Sequence, residues 1–149
     1  MLRGTILLVL LILTSTSAVL GLCKPVPDTR RTDWGHQNVV IIHSEPLRTL
    51  TGFVMAGYPE VSEEDVLVEV FDHPELAQGG DQTRTGQKRL KACITQTDGK
   101  FSFDLPFGKY EVRCSKPLEW NCTSVVVAVS KKGSSKRLNV RLEVADYAS

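Results

Sequence analysis

From Lys100 to Cys114 the chain alternates apolar and polar residues with a period of two. Phe101, Phe103 and Leu105 share one parity, with Lys100, Ser102 and Asp104 on the other; Tyr110, Val112 and Cys114 then repeat the pattern against Lys109, Glu111 and Arg113. Successive side chains of a strand point to opposite faces, so the pattern predicts two strands that each bury one face only. Asp98-Gly99 and Pro106-Phe107-Gly108 precede them. Both are turn chemistry, because Gly accepts positive φ and Pro presets φ for a tight reversal.

The same reading predicts strands over 50–56, 65–71, 90–97, 120–129 and 138–144. The first ends at Gly57-Tyr58-Pro59, and a polar loop with Pro74 and Gly79-Gly80 follows the second. Residues 22–48 carry Pro25, Pro27 and Pro46 among scattered charges and read as a tether, within which the apolar run 39–42 offers an edge strand. Neither a repeat nor an amphipathic helix is visible. Seven short strands divided by turn signals predict an all-β, seven-stranded antiparallel β-sandwich of the immunoglobulin-like or prealbumin-like kind over 49–149. The scarcity of long apolar runs argues against parallel βαβ units, and a chain of 149 residues supports one domain with a real core.

The start, MLRGTILLVLLILTSTSAVLG, changes the picture. One early Arg, a short apolar run and a small-residue end predict a signal peptide over 1–21, with cleavage after Ala18 or Gly21 and export to a secreted or periplasmic location. An uncleaved anchor is the alternative. So is lipidation of Cys23, although bacterial lipoprotein signals want a small residue immediately before that Cys and Leu22 stands here. Membrane attachment is expected only by one of those two routes. Removing residues 1–21 takes Arg3 and no acid, leaving seventeen basic against seventeen acidic residues. That balance argues against a nucleic-acid partner.

Four Cys remain after export, and they allow three complete pairings. Strand parity puts Cys114 on the Tyr110/Val112 face and sets Cys122 against the β-branched face of Thr123, Val125 and Val127, which favours a Cys93–Cys114 bridge over Cys114–Cys122. No Cys-x-x-Cys spacing suggests zinc or a redox pair.

Gly52-Phe53-Val54, Val66-Leu67-Val68-Glu69-Val70, Thr97-Asp98-Gly99-Lys100-Phe101 and Leu105-Pro106-Phe107-Gly108-Lys109-Tyr110 occur in that order. The set resembles the carboxypeptidase regulatory-like domain, a prealbumin-like (transthyretin-like) sandwich of exported, mostly bacterial proteins, across about residues 49–144. The resemblance implies an accessory module without catalytic residues, normally joined to a peptidase, a receptor or a cell-wall protein.

The residues themselves point the same way. His36, His43 and His73 are isolated rather than set at ligand spacing, and neither a Gly-x-Ser-x-Gly elbow nor His-Glu-x-x-His occurs. The tail Asp146-Tyr147-Ala148-Ser149 differs from the Tyr-Arg-Gly-Ser tail of the similarly folded hydroxyisourate hydrolases. Asn139 has no Lys in the first strand for an isopeptide, and Asn121-Cys122-Thr123 is a glycosylation sequon in form. No enzyme activity, metal or cofactor is expected.

The expected function is binding or scaffolding of a protein or glycan at the cell envelope; the alternative is a carbohydrate or small-ligand carrier using the loops at one end. Reversal of consecutive strands puts alternate loops at the same end. One end then carries Tyr58, Glu119 and Trp120, a candidate recognition surface with capping of the sandwich by Trp120 as its alternative. The other carries Lys131, Lys132, Lys136 and Arg137, a candidate basic patch.

Overall fold

The computed structural model describes residues 23–27, 39–75, 86–116 and 119–144. The period-two segments form strands where expected. In chain order they are β1 (Cys23–Pro25), β2 (Val39–His43), β3 (Leu50–Ala56), β4 (Val61–Ser62), β5 (Leu67–Phe71), β6 (Arg89–Thr95), β7 (Lys100–Phe103), β8 (Gly108–Ser115), β9 (Cys122–Val129) and β10 (Leu138–Leu142). They build one six-stranded sheet, in the order β1-β6-β5-β8-β9-β2, and one four-stranded sheet in which β3 pairs with β10, β4 and β7. The described chain is thus all-β, with two mixed sheets in an arrangement compatible with a sandwich.

Two expectations need correction. Among the described residues ten strands form rather than seven, and the sheets are not purely antiparallel, because β2 runs parallel to β9 and β10 parallel to β3. Hairpin reasoning assumes that each strand pairs with the one before it. Here β10 leaves β9 for the opposite sheet and lies beside β3 in the same direction, which only a crossover permits. Within the stretch read as a tether, the apolar run 39–42 falls in β2, an edge strand of the six-stranded sheet, and β1 forms the other edge.

The core lies between the sheets. Leu50, Val54 and Ala56 of β3, Phe101 and Phe103 of β7 and Leu138, Val140 and Leu142 of β10 face Val68 and Val70 of β5, Tyr110, Val112 and Cys114 of β8, and Val125, Val127 and Val129 of β9. All six residues expected in the core (Phe101, Phe103, Tyr110, Val112, Val125 and Val127) are buried. Gly52 interrupts the β3 row because a Cβ there would collide with the Leu138 carbonyl oxygen and the Phe101 ring. Gly99, at φ +64°, closes the turn before β7, as the Asp-Gly pair requires. Tyr110 ties down the turn before β8, donating its hydroxyl proton to the Pro106 carbonyl at 2.7 Å.

The expected Cys93–Cys114 bridge does not form; Cys93 is joined to Cys23 instead, with Cα atoms 5.6 Å apart. Cys93 and Cys114 both pack in the core, but Val68 of β5 is paired with both and so stands between them. Two strand spacings separate them, about 9–10 Å, beyond the reach of a disulfide. Cys23 lies on β1, directly beside β6. Cys114 and Cys122 are buried thiols. Burial, reinforced by Cys122 and Glu69, pushes the Cys114 thiol well above its ordinary pKa, which leaves it inert as a nucleophile.

Candidate functional site

Strand directions sort the loops. The turn after β3, the segment between β8 and β9, and the chain beyond β10 emerge at one end of the molecule. That end carries Glu60, Glu63, Glu64, Asp65, Glu119 and Glu143, with Lys116 and Arg141 among them. The opposite end carries Arg48, Lys88, Lys109, Lys131, Lys132, Lys136 and Arg137, with Glu45, Asp72, Glu75 and Asp104 among them. Among the described residues the two ends therefore differ in the sign of their net charge.

At the acidic end, Gly57 takes φ +83° and turns the chain so that Tyr58 projects into solvent, 97 % exposed. Trp120 is half-buried. It packs against the core and forms an isolated antiparallel bridge with Val144. Asn121 secures that bridge, its backbone N–H donating to the Glu143 carbonyl (2.8 Å) and its side-chain amide to the Val144 carbonyl (3.0 Å). Thr123 adds a bond from its hydroxyl to the Arg141 carbonyl, at 3.3 Å. The start of β9 is thereby stitched to the end of β10, closing one corner between the sheets.

Tyr58, Trp120, Arg141 and Glu143 line a cleft of about 330 Å³ at this corner. Two of the three residues expected to form a recognition surface thus meet. Glu119, the third, is exposed and bonded to Lys116 (3.1 Å) rather than lining the cleft. Glu63 anchors Trp120 from behind the lining: its Oε1 accepts from Lys116 Nζ at 2.6 Å and from the Trp120 indole N–H at 3.3 Å. Burial works against the Lys116 ammonium, but hydrogen bonds and charge from Glu63 and Glu119 outweigh it and raise its pKa. Thr95 fixes the Glu63 backbone in turn, donating its hydroxyl proton to the Glu63 carbonyl at 2.8 Å. Arg141 is held by Glu60 at 3.1 Å. The Trp120 ring is thus presented by a bonded frame, with the exposed Tyr58 ring beside it. Pro117 and Leu118, the expected packing partners of Trp120, lie outside the described residues.

The basic patch is divided. Lys131, Lys132 and Lys136 are exposed in the connection after β9, whereas the Arg137 guanidinium lies over the Phe53 ring, 5.1 Å from its centroid, on the four-stranded sheet. The sequon asparagine is spent inside the corner, since Asn121 is only 6 % exposed and its amide is bonded. His43 and His73 are exposed, and His36 lies outside the described residues.

A second constellation was not expected. The rule that each strand buries one face fails for β5 and for parts of β8 and β9, where Glu111, Arg113, Ser115, Cys122 and Ser124 on the outer face are buried too. Register brings Glu69 opposite Arg113, and Arg113 opposite Ser124. Arg113 donates to both oxygens of Glu111, at 2.9 and 3.0 Å, and also to the Gln87 side-chain carbonyl. Gln87 returns a bond to Glu111 at 2.7 Å, and the Ser124 hydroxyl adds another at 2.6 Å. Arg89 pairs with Glu69 at 3.1 Å, and the Arg113 guanidinium sits 3.7 Å above the Phe71 ring. Burial lowers the Arg113 pKa to about 10, with the charge of Glu69 opposing. The signal available in the sequence was the Glu-x-Arg spacing in β8, which puts opposite charges on one strand face. Every oxygen of Glu111 is engaged, so the network orders the sheet rather than presenting a reactive group.

No model of a protein family matches the chain, and a search of well-described proteins finds no match.

Proposed function

We propose that this protein is an exported, non-catalytic binding module of the cell envelope whose recognition surface is the Tyr58–Trp120 corner. The observation that carries the reading is the convergence of an exposed tyrosine and a bonded tryptophan on one cleft, beside Arg141 and Glu143. Large amphipathic rings supply contact area at small entropic cost, and the bonded Trp120 ring loses little freedom on binding. Two further features support it. The tandem Thr-Asp-Gly-x-Phe and Pro-x-Gly-x-Tyr motifs resemble those of the carboxypeptidase regulatory-like domain, and the all-β architecture suits a prealbumin-like sandwich. The Cys23–Cys93 disulfide suits an oxidising, extracytoplasmic location.

A second reading, a carbohydrate or small-ligand carrier, is favoured by the cleft itself, because rings flanked by a guanidinium and a carboxylate can stack on a sugar and bond its hydroxyls. One experiment serves both. The matured protein is screened against envelope proteins and an oligosaccharide array, and any hit is re-measured with Tyr58→Ala and Trp120→Ala. Tyr58→Ala should keep the melting temperature and lose the hit. A hit that survives both substitutions places recognition elsewhere and sinks the proposal.

A further inference from the structure

The basic end is a built platform rather than a set of loose tips. Leu47 bridges to both Val129 and Ser134, and the connection after β9 is tied to residues 46–48 by backbone bonds: Ser130 N–H to the Leu47 carbonyl, Ser134 N–H to the Pro46 carbonyl, and Arg48 N–H to the Ser134 carbonyl, each at 2.8 Å. Gly133 sits so close to the Leu47 carbonyl that a Cβ would collide with it. Lys131 and Lys132 are therefore carried on a fixed turn. The pairing of Gly108 with Val129 brings the preceding residue, Phe107, to the same rim. Phe107 is 67 % exposed, an uncovered aromatic ring at the tip of the turn before β8. Exposed Lys109 and Arg48 flank this rim; Glu45 and Asp104 are the exposed acids beside it, while Asp72 and Glu75 lie further along the same end. The far end of the molecule is acidic.

We infer that this end docks peripherally on an anionic phospholipid surface, with Lys131 and Lys132 among the headgroups and Phe107 entering the interfacial layer. Lysines alone would suit any polyanion. The exposed ring decides between them, because an aromatic side chain gains from a headgroup–acyl boundary and gains little from a hydrated, soluble polyanion. The acidic far end adds orientation, since a negative surface attracts one pole of the molecule and repels the other. Such contact requires neither lipidation of Cys23 nor an uncleaved signal, and it leaves the Tyr58–Trp120 cleft facing away from the bilayer.

The test is co-sedimentation of the matured chain with vesicles of phosphatidylglycerol and phosphatidylcholine in equal parts, against pure phosphatidylcholine, at low salt. The chain should bind the anionic vesicles and not the neutral ones. Combined Lys131→Gln and Lys132→Gln should weaken partition by about thirtyfold. Phe107→Ser should weaken it several-fold and Phe107→Leu should restore it, while melting temperatures confirm that each variant is folded. Dextran sulfate serves as the soluble polyanion. Absence of vesicle binding overturns the inference, as does vesicle binding indifferent to Phe107→Ser; tight dextran sulfate binding without vesicle partition assigns the platform to a polyanionic glycan instead.

Discussion

Arg113 and Glu111 stand two residues apart on one strand and clasp each other through two hydrogen bonds, with both side chains buried. Removing one partner strands the other charge in a dry environment. Glu111→Ala should therefore cost about 3–5 kcal/mol, enough to threaten folding of a small domain. Glu111→Gln, which keeps the shape but loses the charge and turns one acceptor into a donor, should cost much of the same. Urea midpoints of the two variants check this, and a Glu111→Gln midpoint equal to that of the parent chain would mean that Glu111 contributes packing rather than charge compensation.

Phe101 is fully buried and lies where Gly52 has no side chain. Phe101→Ala opens a cavity between the sheets and should lower stability by about 3–5 kcal/mol. Its neighbour Ser102, on the other parity, should tolerate Ala with little change in melting temperature. Gly52→Ala should also destabilise, because the added methyl meets backbone that cannot yield.

The cysteines make a chemical prediction. Under denaturing but non-reducing conditions an alkylating reagent should modify Cys114 and Cys122 only, with Cys23 and Cys93 following after reduction. Peptide mapping reads the outcome directly. The Cys23–Cys93 link closes a long loop, 70 residues apart in sequence, and the chain-entropy estimate for such a loop is roughly 4 kcal/mol. Reduction should therefore lower the melting temperature substantially. A sulfur in this disulfide cannot also carry a lipid thioether, so an acylated Cys23 would contradict the pairing outright.

His73 and Glu75 form an exposed pair, Nδ1 to Oε1 at 2.8 Å. The hydrogen bond that the His73 ring donates to Glu75, with the charges of Asp72 and Glu75, raises the His73 pKa above its ordinary 6.5. A raised histidine pKa means that the pair's small contribution is fully present below pH 6.5 and fades as pH rises through the folded-state value. An NMR titration of the imidazole should show a midpoint above 6.5 that falls, without reaching the unshifted value, in Glu75→Gln, where Asp72 still acts.

Alternation made the strands and the core between the sheets legible, because period two reports which side chains share a face. Phe101, Phe103, Tyr110 and Val112 were found this way. The same reasoning treated Glu111 and Arg113 as the solvent side, since nothing local distinguishes a charge facing water from one facing a partner two residues away. The Cys23–Cys93 bridge was hidden because parity says nothing about lateral order, and β5 stands between β6 and β8. At the candidate site, Tyr58 and Trp120 were legible from turn chemistry and strand direction. The part played by Asn121, Glu63 and Arg141 was not, for it depends on the parallel placement of β10 beside β3.

That placement also sets the kinetics of folding. Leu138 of β10 pairs with Gly52 of β3, so the four-stranded sheet joins residues from opposite ends of the domain. Pairings between distant residues require loop closure before any contact rewards it, which slows folding. While the last strand is missing, Gly52 and Val54 lack their β10 neighbour along one side of β3 and the core lacks Leu138, Val140 and Leu142. A nascent chain in that condition has little reason to become compact before β10 is made. Under the export proposed above, late closure keeps the chain threadable and defers folding to the compartment where Cys23 and Cys93 can be oxidised.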